Sequence, residues 1–262
     1  FRAHGRFVDS LGGRYITAED IGTSPADMEF VRSETRHAAG LQGLSGDPSP
    51  VTGYGVYMGM KACARQRWGS DSLSGRTVLV QGAGKVAYYL CANLHKEGAR
   101  LVVTDIDAEK QKRVVTEFGA TAVTPEAIYD QPGDIYAPCA LGATINDDTL
   151  KRLKVEIVAG GANNQLAEER HGIELERKGM LYAPDFVINA GGLINVYGEL
   201  EGWPEERAKR KAKEIYDAIL KVFAIAGRDG IPSFQAADRL AEERIAAVSG
   251  LRKTHKGVNG QR

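Results

Sequence analysis

From Thr77 onward, short runs of β-branched and other apolar residues alternate with longer stretches in which apolar positions recur at three- and four-residue steps. The first kind reads as buried strand, the second as amphipathic helix. The pattern predicts strands over 77–81, 100–105, 134–138, 155–159, 180–183 and 186–188, with helices over 84–96 and 108–118 between them. Strands alternating with helices build a mostly parallel sheet. Thr124-Pro125 has the form of a cap followed by a first-turn proline, so a short helix is expected there. Ser49-Pro50 opens a longer helix in the same way, running to Trp68. It carries Gly53, Gly55 and Gly59; each weakens a helix by roughly 1 kcal/mol relative to alanine, so each is expected to admit a close backbone approach. Further on, 204–226 and 233–248 are amphipathic. Ala212, Ile215, Ile219, Val222, Phe223 and Ala226 share one helical face that is expected to dock on the rest of the fold. The polar, basic stretch 252–262 shows no periodicity and reads as a solvated tail.

Composition narrows the class of partner. The chain has 262 residues, 43% of them apolar, enough for a sizeable core. Lysine plus arginine and aspartate plus glutamate balance at 34 each, so no bulk positive field gathers nucleic acid or anionic lipid. A small-molecule partner is expected. No apolar run approaches the roughly 20 residues needed to cross a bilayer, and nothing near the start has the form of a signal peptide; a soluble, cytoplasmic protein is expected. Cys63, Cys91 and Cys139 are odd in number, far apart and without a CxxC pair, which argues against a disulfide framework and a zinc site. They are expected to be reduced and buried. The histidines are scattered, and no metal site is expected. The opening stretch Phe1-Arg2-Ala3-His4-Gly5-Arg6-Phe7 has no initiator methionine and reads as the middle of an element, so the natural chain is expected to begin further upstream.

The stretch TVLVQGAGKVAYYL (residues 77–90) runs from a predicted strand through two glycines into a predicted helix. Gly82-Ala83-Gly84-Lys85-Val86-Ala87 is a GxGxxA turn, and Asp105 follows Gly84 by 21 residues at the end of the next strand. In that setting the turn is a dinucleotide fingerprint. Gly82 permits the tight turn, Gly84 lets backbone N–H groups reach a pyrophosphate, and Ala87 lets the helix sit close to the strand. The helix N-terminus then presents partial positive charge to the phosphates, flanked by Lys85 and Val86. A carboxylate at Asp105 accepts ribose hydroxyls and repels a 2′-phosphate, which favours NAD over NADP. The other reading of Asp105, a cap for the helix starting at Ala108, suits Asp107 better. The predicted fold is therefore α/β, a Rossmann-like mostly parallel sheet with flanking helices.

Five further stretches carry a family resemblance: RYITAEDIGTS (14–24), GDPSPVTGYGVYMGMKA (46–62), PCALGATIND (138–147), GGANNQL (160–166) and YAPDFVINAGGLINV (182–196). Their order and spacing resemble the glutamate/leucine/phenylalanine/valine dehydrogenase family, and the wording, including 215–245, is most similar to its leucine branch. Such enzymes oxidise an L-amino acid reversibly to a 2-oxo acid and ammonia, so the resemblance implies an amino acid substrate and a homo-oligomer. It maps a catalytic proton carrier onto Asp20; from the residues alone, an Asp before Gly22-Thr23 is more often just a cap or turn former. It gives Thr52, Asn163 and Asn189 contacts to the nicotinamide half, and Cys139-Ala140-Leu141 a strip along the adenosine ribose. As a small first-turn residue Thr52 also suits a bond to its own helix, and asparagines suit turns. Ala18, Leu193 and Val196 match apolar pocket positions. An aliphatic wall rewards a branched side chain and leaves a second carboxylate without a partner, so leucine, isoleucine and valine are favoured over glutamate.

The resemblance divides the chain into the end of a substrate domain (1–48), a linking helix (49–69), a dinucleotide-binding domain (70–200), and C-terminal helices with a tail (201–262). It also implies two lysines, one for the substrate carboxylate and one for water, in glycine-rich stretches expected upstream of AED. Neither Lys61 nor Lys85 takes those roles. The alternative is a catalytically silent module that binds NAD or forms oligomers.

Overall fold

The computed structural model describes residues 1–20, 22–41 and 47–256, with side chains through 249. A small unit comes first: α1 (Arg2–Ser10), β1 (Thr17–Ala18), α2 (Pro25–Arg32) and β2 (Ala38–Ala39). The two strands run parallel, Thr17 opposite Ala38 and Ala18 opposite Ala39. Met28, Val31, Ala38 and Leu41 form its core. Ser24 and Asp27 cap α2 reciprocally: Asp27 Oδ2 accepts the Ser24 N–H at 2.9 Å, and the Ser24 hydroxyl accepts the Asp27 N–H.

The long helix α3 (Ser49–Trp68) leads into the larger unit. There follow β3 (Thr77–Gln81), α4 (Lys85–Glu97), β4 (Arg100–Thr104), α5 (Ala108–Phe118), β5 (Thr121–Ala122), a 3-10 helix Ala127–Asp130, β6 (Ile135–Pro138), α6 (Thr149–Arg152), β7 (Ile157–Val158), α7 (Glu169–Arg177) and β8 (Leu181–Tyr182). The chain ends in α8 (Asp185–Ile188), α9 (Gly191–Leu200), α10 (Glu205–Lys213), α11 (Ile215–Asp229) and α12 (Ser233–Lys256). The sheet order is β5-β4-β3-β6-β7-β8, every neighbouring pair parallel. This is a Rossmann-like sheet whose order reverses between β3 and β6, the place where such sheets hold ligands beyond their C-terminal edge. Period-two alternation splits β3 between two cores: Val78 and Val80 pack with Met60, Leu90, Leu94 and Ile219 beneath α3, α4 and α11, whereas Leu79 packs with Ile128, Tyr136, Ile145 and Leu175 on the other face.

Several expectations need correction. Residues 186–188 are not a strand but part of α8: Pro184 fixes the entry and Asp185 places a carboxylate in the first turn, accepting the Phe186 N–H at 2.8 Å. A short β-branched run does not distinguish strand from helix by itself. The turn at Asn189 therefore joins two helices. The strands expected over 155–159 and 180–183 shrink to Ile157–Val158 and Leu181–Tyr182, and Asp105 lies one residue past β4. The helix expected at Pro125 is one 3-10 turn, and the edge strand β5, exposed on both faces, lacks an apolar signal. The amphipathic 204–226 stretch breaks at Glu214 into α10 and α11, yet Ala212, Ile215, Ile219, Val222 and Phe223 are buried and Ala226 half-buried, as their shared face requires. Helix α12 runs to Lys256, so 252–256 is not an aperiodic tail; 257–262 lies outside the described residues. Among the described residues no helix is long and apolar enough to cross a membrane.

Of the glycines on α3, Gly53 admits the close backbone approach expected of all three, whereas Gly55 and Gly59 chiefly make room for the side chains of Ile215 and Ile188. A Cβ at Gly53 would stand 2.8 Å from Tyr89 Cβ and 2.9 Å from both Leu90 N and Val86 O. Two of those atoms are α4 backbone and cannot rotate away. Gly53→Ala is therefore expected to lower stability by about 1–3 kcal/mol despite alanine's better helix propensity. Thermal unfolding checks this: a midpoint equal to or above the parent's would contradict backbone contact between α3 and α4.

Candidate functional site

β3 ends at Gln81 and the chain turns at Gly82, whose φ of 106° an L side chain rarely adopts. A Cβ there would also meet Ala140, 2.8 Å from its Cβ and 2.9 Å from its N, so Gly82 is packed against the Cys139-Ala140 strip after β6. Gly84 differs. It caps α4 in extended conformation with no side-chain bond, and a Cβ on it would touch nothing within 4 Å. The open space lies beside the first-turn N–H groups of α4, which have no intrahelical acceptor. Asp105 reaches back from the end of β4: its Oδ2 accepts the Ala83 N–H at 2.5 Å and its Oδ1 the Asp107 N–H at 2.8 Å. Asp107, not Asp105, caps α5, accepting from the N–H groups of Glu109 and Lys110.

The loop after β7 closes the same edge. Val86 lies 3.0 Å from where a Cβ on Gly161 would stand, and the Gly161 N–H donates to Cys139 Sγ at 3.4 Å. Burial pushes the thiol of the half-buried Cys139 up to about 11, so it presents a neutral wall. Asn189 Nδ2 donates to Asn163 Oδ1, which joins the loop after β7 to the α8–α9 junction. Thr52, buried in the first turn of α3, donates its hydroxyl to Pro48 O at 2.9 Å. Its oxygen keeps its acceptor capacity and lies 3.0 Å from where a Cβ on Gly192 would stand.

Across the opening lies the small unit. Asp20 is exposed and starts a tight turn: its N–H donates to Thr23 Oγ1 at 2.9 Å, and its C=O accepts the Thr23 hydroxyl at 2.7 Å. Gly22 takes φ 85° within it. Ala18 is half-buried on β1, beside Ala39. On α9, Leu193 is 73% exposed and Val196 half-buried three residues on, one ridge of an apolar face. The same ridge ends in Glu199, whose carboxylate accepts the Gly40 N–H at 2.9 Å and so fixes α9 against the end of β2. Leu141, 72% exposed, stands apart from these contacts.

The structure thus gathers Gly82, Gly84, Lys85, Val86, Asp105, Cys139, Ala140, Asn163, Asn189 and Thr52 on one edge. Asp20, Ala18, Leu193 and Val196 belong to the facing side. Lys85 also reaches across to two carboxylates that sequence reasoning did not single out. Lys85 Nζ lies 3.3 Å from Asp47 Oδ2 and 3.8 Å from Glu19 Oε1. Burial raises the Glu19 carboxyl above the ordinary carboxylate range against the opposing pull of Lys85. Asp47 is also partly buried, but its bonds from Ser49 and the charge of Lys85 hold it below that range. Gln165 was missed too: fully buried, it donates from Nε2 to Gly160 O at 2.8 Å and Ala162 O at 3.0 Å, while its N–H is held by Asp185 Oδ2 at 2.9 Å. Its only signal was an amide following two asparagines. Lys61 has a structural role, bonding Glu97 Oε1 and Asp71 O at 2.8 Å each.

Comparison with known proteins agrees with this arrangement. The family model described as Glutamate/Leucine/Phenylalanine/Valine dehydrogenase matches residues 43–108 and 103–252. A leucine dehydrogenase from Thermoactinomyces intermedius is 61% identical over 257 residues, 97% of this chain and 70% of that protein. One from Bacillus subtilis (strain 168) is 58% identical over 248 residues, 94% of this chain and 68% of that protein. Among solved structures, L-tryptophan dehydrogenase from Nostoc punctiforme superposes with a TM-score of 0.83 at 46% identity, covering 94% of this chain and 72% of that one.

The two bonds from Gln165 hold the loop that carries Asn163. Gln165→Leu removes both donors and leaves two carbonyls short of a partner, an expected loss of about 1–3 kcal/mol. Faster amide hydrogen exchange confined to the 160–165 loop and its neighbours is the signature to measure; unchanged exchange and stability would show that the loop holds itself.

Proposed function

The chain belongs to the glutamate/leucine/phenylalanine/valine dehydrogenase family and is an amino acid dehydrogenase; from that premise we propose that it catalyses the NAD-dependent, reversible oxidative deamination of a branched-chain L-amino acid to its 2-oxo acid and ammonia. One observation carries the cofactor half of this reading: Asp105 is bonded to the glycine turn itself, beside open space at Gly84 and an uncapped helix N-terminus. Those features fit a pyrophosphate on the α4 N–H groups and a ribose on the Asp105 carboxylate. The names of the leucine dehydrogenase relatives support the substrate half.

Bound there, the dinucleotide supplies the acceptor for the hydrogen leaving Cα. The chain's own residues do the rest. Gly82, Gly84, Lys85 and Val86 seat the pyrophosphate, and Cys139, Ala140 and Leu141 flank the adenosine ribose. Thr52, as hydrogen-bond acceptor, and Asn163 with Asn189 orient the carboxamide end and so choose which ring face meets the substrate. Asp20 carries protons to and from the substrate nitrogen, where an exposed carboxylate on a stiff turn can reach without burying charge. Ala18, Leu193 and Val196 form the wall that rewards an aliphatic side chain. In this reading 1–48 belongs to the substrate side, 49–69 links, 70–200 binds the dinucleotide and 201–262 contributes the C-terminal helices. A homo-oligomer completes it; the exposed Phe7 and Phe30 on α1 and α2 are apolar area that a second copy would cover.

The tryptophan dehydrogenase similarity favours a second reading, an aromatic side chain beside the exposed Leu193. Comparing kcat/KM for leucine, isoleucine, valine, phenylalanine and tryptophan separates the two: the aliphatic trio is expected to lead, and an aromatic leader would replace the branched-chain assignment.

Two variants test the residue roles. Asp20→Asn is expected to leave NADH affinity nearly intact and lower turnover by about a hundredfold or more, the scale of a lost general acid or base; undiminished turnover would take Asp20 out of the mechanism. Asp105→Ser combined with Ile106→Arg, at a position 94% exposed, exchanges a repelling carboxylate for a phosphate partner. Preference is expected to move from NAD toward NADP, and a parent enzyme that uses both equally would contradict the ribose assignment.

A further inference from the structure

Glu19 precedes Asp20 in the turn, yet its surroundings differ. Its side chain is only 10% exposed, and its Oε2 is buried with no hydrogen-bond partner among the described residues. Among the described residues, the charges that act on it are Lys85 from the start of α4, Asp47 ahead of α3, and Asp27 from α2. Behind it, Gly40 stands within 3.3 Å as judged from an added Cβ, held in turn by Glu199 of α9, so carboxylates surround the site. Lys85 is the cation that offsets them. It is also the first residue of α4, where the glycine turn presents its N–H groups, and its side chain is 62% exposed on that opening.

We propose that Lys85 is a positioning residue through which the catalytic turn senses the dinucleotide: in the free chain it neutralises Glu19 and Asp47, and a pyrophosphate seated on α4 takes over its charge, so that Glu19 binds a proton as the cofactor binds. The inference rests on the reading that the glycine turn holds the dinucleotide. The sign is the same for either response of Lys85. If its ammonium swings to the phosphates, Glu19 loses its counter-charge; if it stays, two added negative charges approach a carboxylate that burial already disfavours. Both changes favour the neutral acid. The consequence for the reaction is local. With Glu19 neutral, the segment 19–20 itself presents an incoming amino acid carboxylate with one fewer like charge than it does in the free chain.

The experiment follows NADH binding to the full chain by cofactor fluorescence while recording proton uptake in weakly buffered solution. The parent is expected to take up protons in a range just above the ordinary carboxylate value. Its NADH Kd then weakens with rising pH through that range, by up to about tenfold per pH unit. Glu19→Gln, a mimic of the neutral acid, is expected to bind NADH with that component of uptake gone and a correspondingly flatter pH profile. Lys85→Gln removes the counter-charge from the free chain as well, so NADH binds more weakly and uptake moves to higher pH. Equal uptake by the parent and Glu19→Gln overturns the proposal, and a window that Lys85→Gln leaves in place removes Lys85 from the link. A chain that binds no NADH at any pH overturns the dinucleotide reading itself, and the coupling with it.

Discussion

Backbone contact around α3 sets the geometry on which the site depends. No side chain separates its first turns from their neighbours: a Cβ at Gly53 would fall 2.9 Å from Val86 O of α4, and one at Gly191 would fall 2.5 Å from Val51 O. The starts of α4 and α9 therefore each meet the start of α3 directly, at the edge where the order of the sheet reverses. Thr52 is carried by the first of these helices, Gly84, Lys85 and Val86 by the second, and Leu193 and Val196 by the third. Helix starts bring partial positive charge and unpaired N–H groups with them. Packing thus delivers an electropositive edge without concentrating lysine or arginine there, which suits a chain of balanced charge.

The facing side has the opposite character. Glu19, Asp20, Asp47 and Glu199 all lie on the segments around β1, β2 and α9, and two of them serve structure: Glu199 holds the Gly40 N–H, and Asp47 the Ser49 N–H at 2.9 Å. The opening between the two sides is polarised, and Lys85 spans it at distances of 3.3 and 3.8 Å, long for a tight ion pair. A loose bridge on an exposed lysine contributes little to stability. It can therefore be exchanged for another anion with little effect on the fold.

Legibility in the sequence followed chain separation. The glycine turn, Asp105 and the cap at Asp107 are encoded within some thirty residues, and local sterics are enough to read them: Gly82 needs its positive φ, and Gly84 needs nothing in its place. The α11 face was legible for the same reason, since helical periodicity is local. Glu199 meets Gly40 across 159 residues, and Lys85 meets Glu19 from a different unit altogether, so neither pair leaves a pattern in a window of any practical length. The 186–188 error has another cause. Val187 and Ile188 carry strand propensity, but Ile188 is fully buried against the backbone of α3 at Gly59, and that tertiary contact overrides the preference of a three-residue run.

The same segment is where stability and, in the proposed assignment, selectivity separate. α8 buries Ile188 completely beneath α3, and Asp185 anchors the loop that carries Asn163 through Gln165. Just past Gly191 the chain has already emerged: Leu193 is 73% exposed and Ile194 half-buried. One short helix pair thus fixes its own position with one set of side chains and presents another to the opening. In the proposed assignment, a change at residue 193 alters the shape of the wall without touching the core, whereas a change at 188 moves the wall as a whole. Relatives 61% and 46% identical to this chain and named for leucine and for tryptophan are what such an arrangement allows, because the side chain proposed to face the substrate is not the one holding the fold.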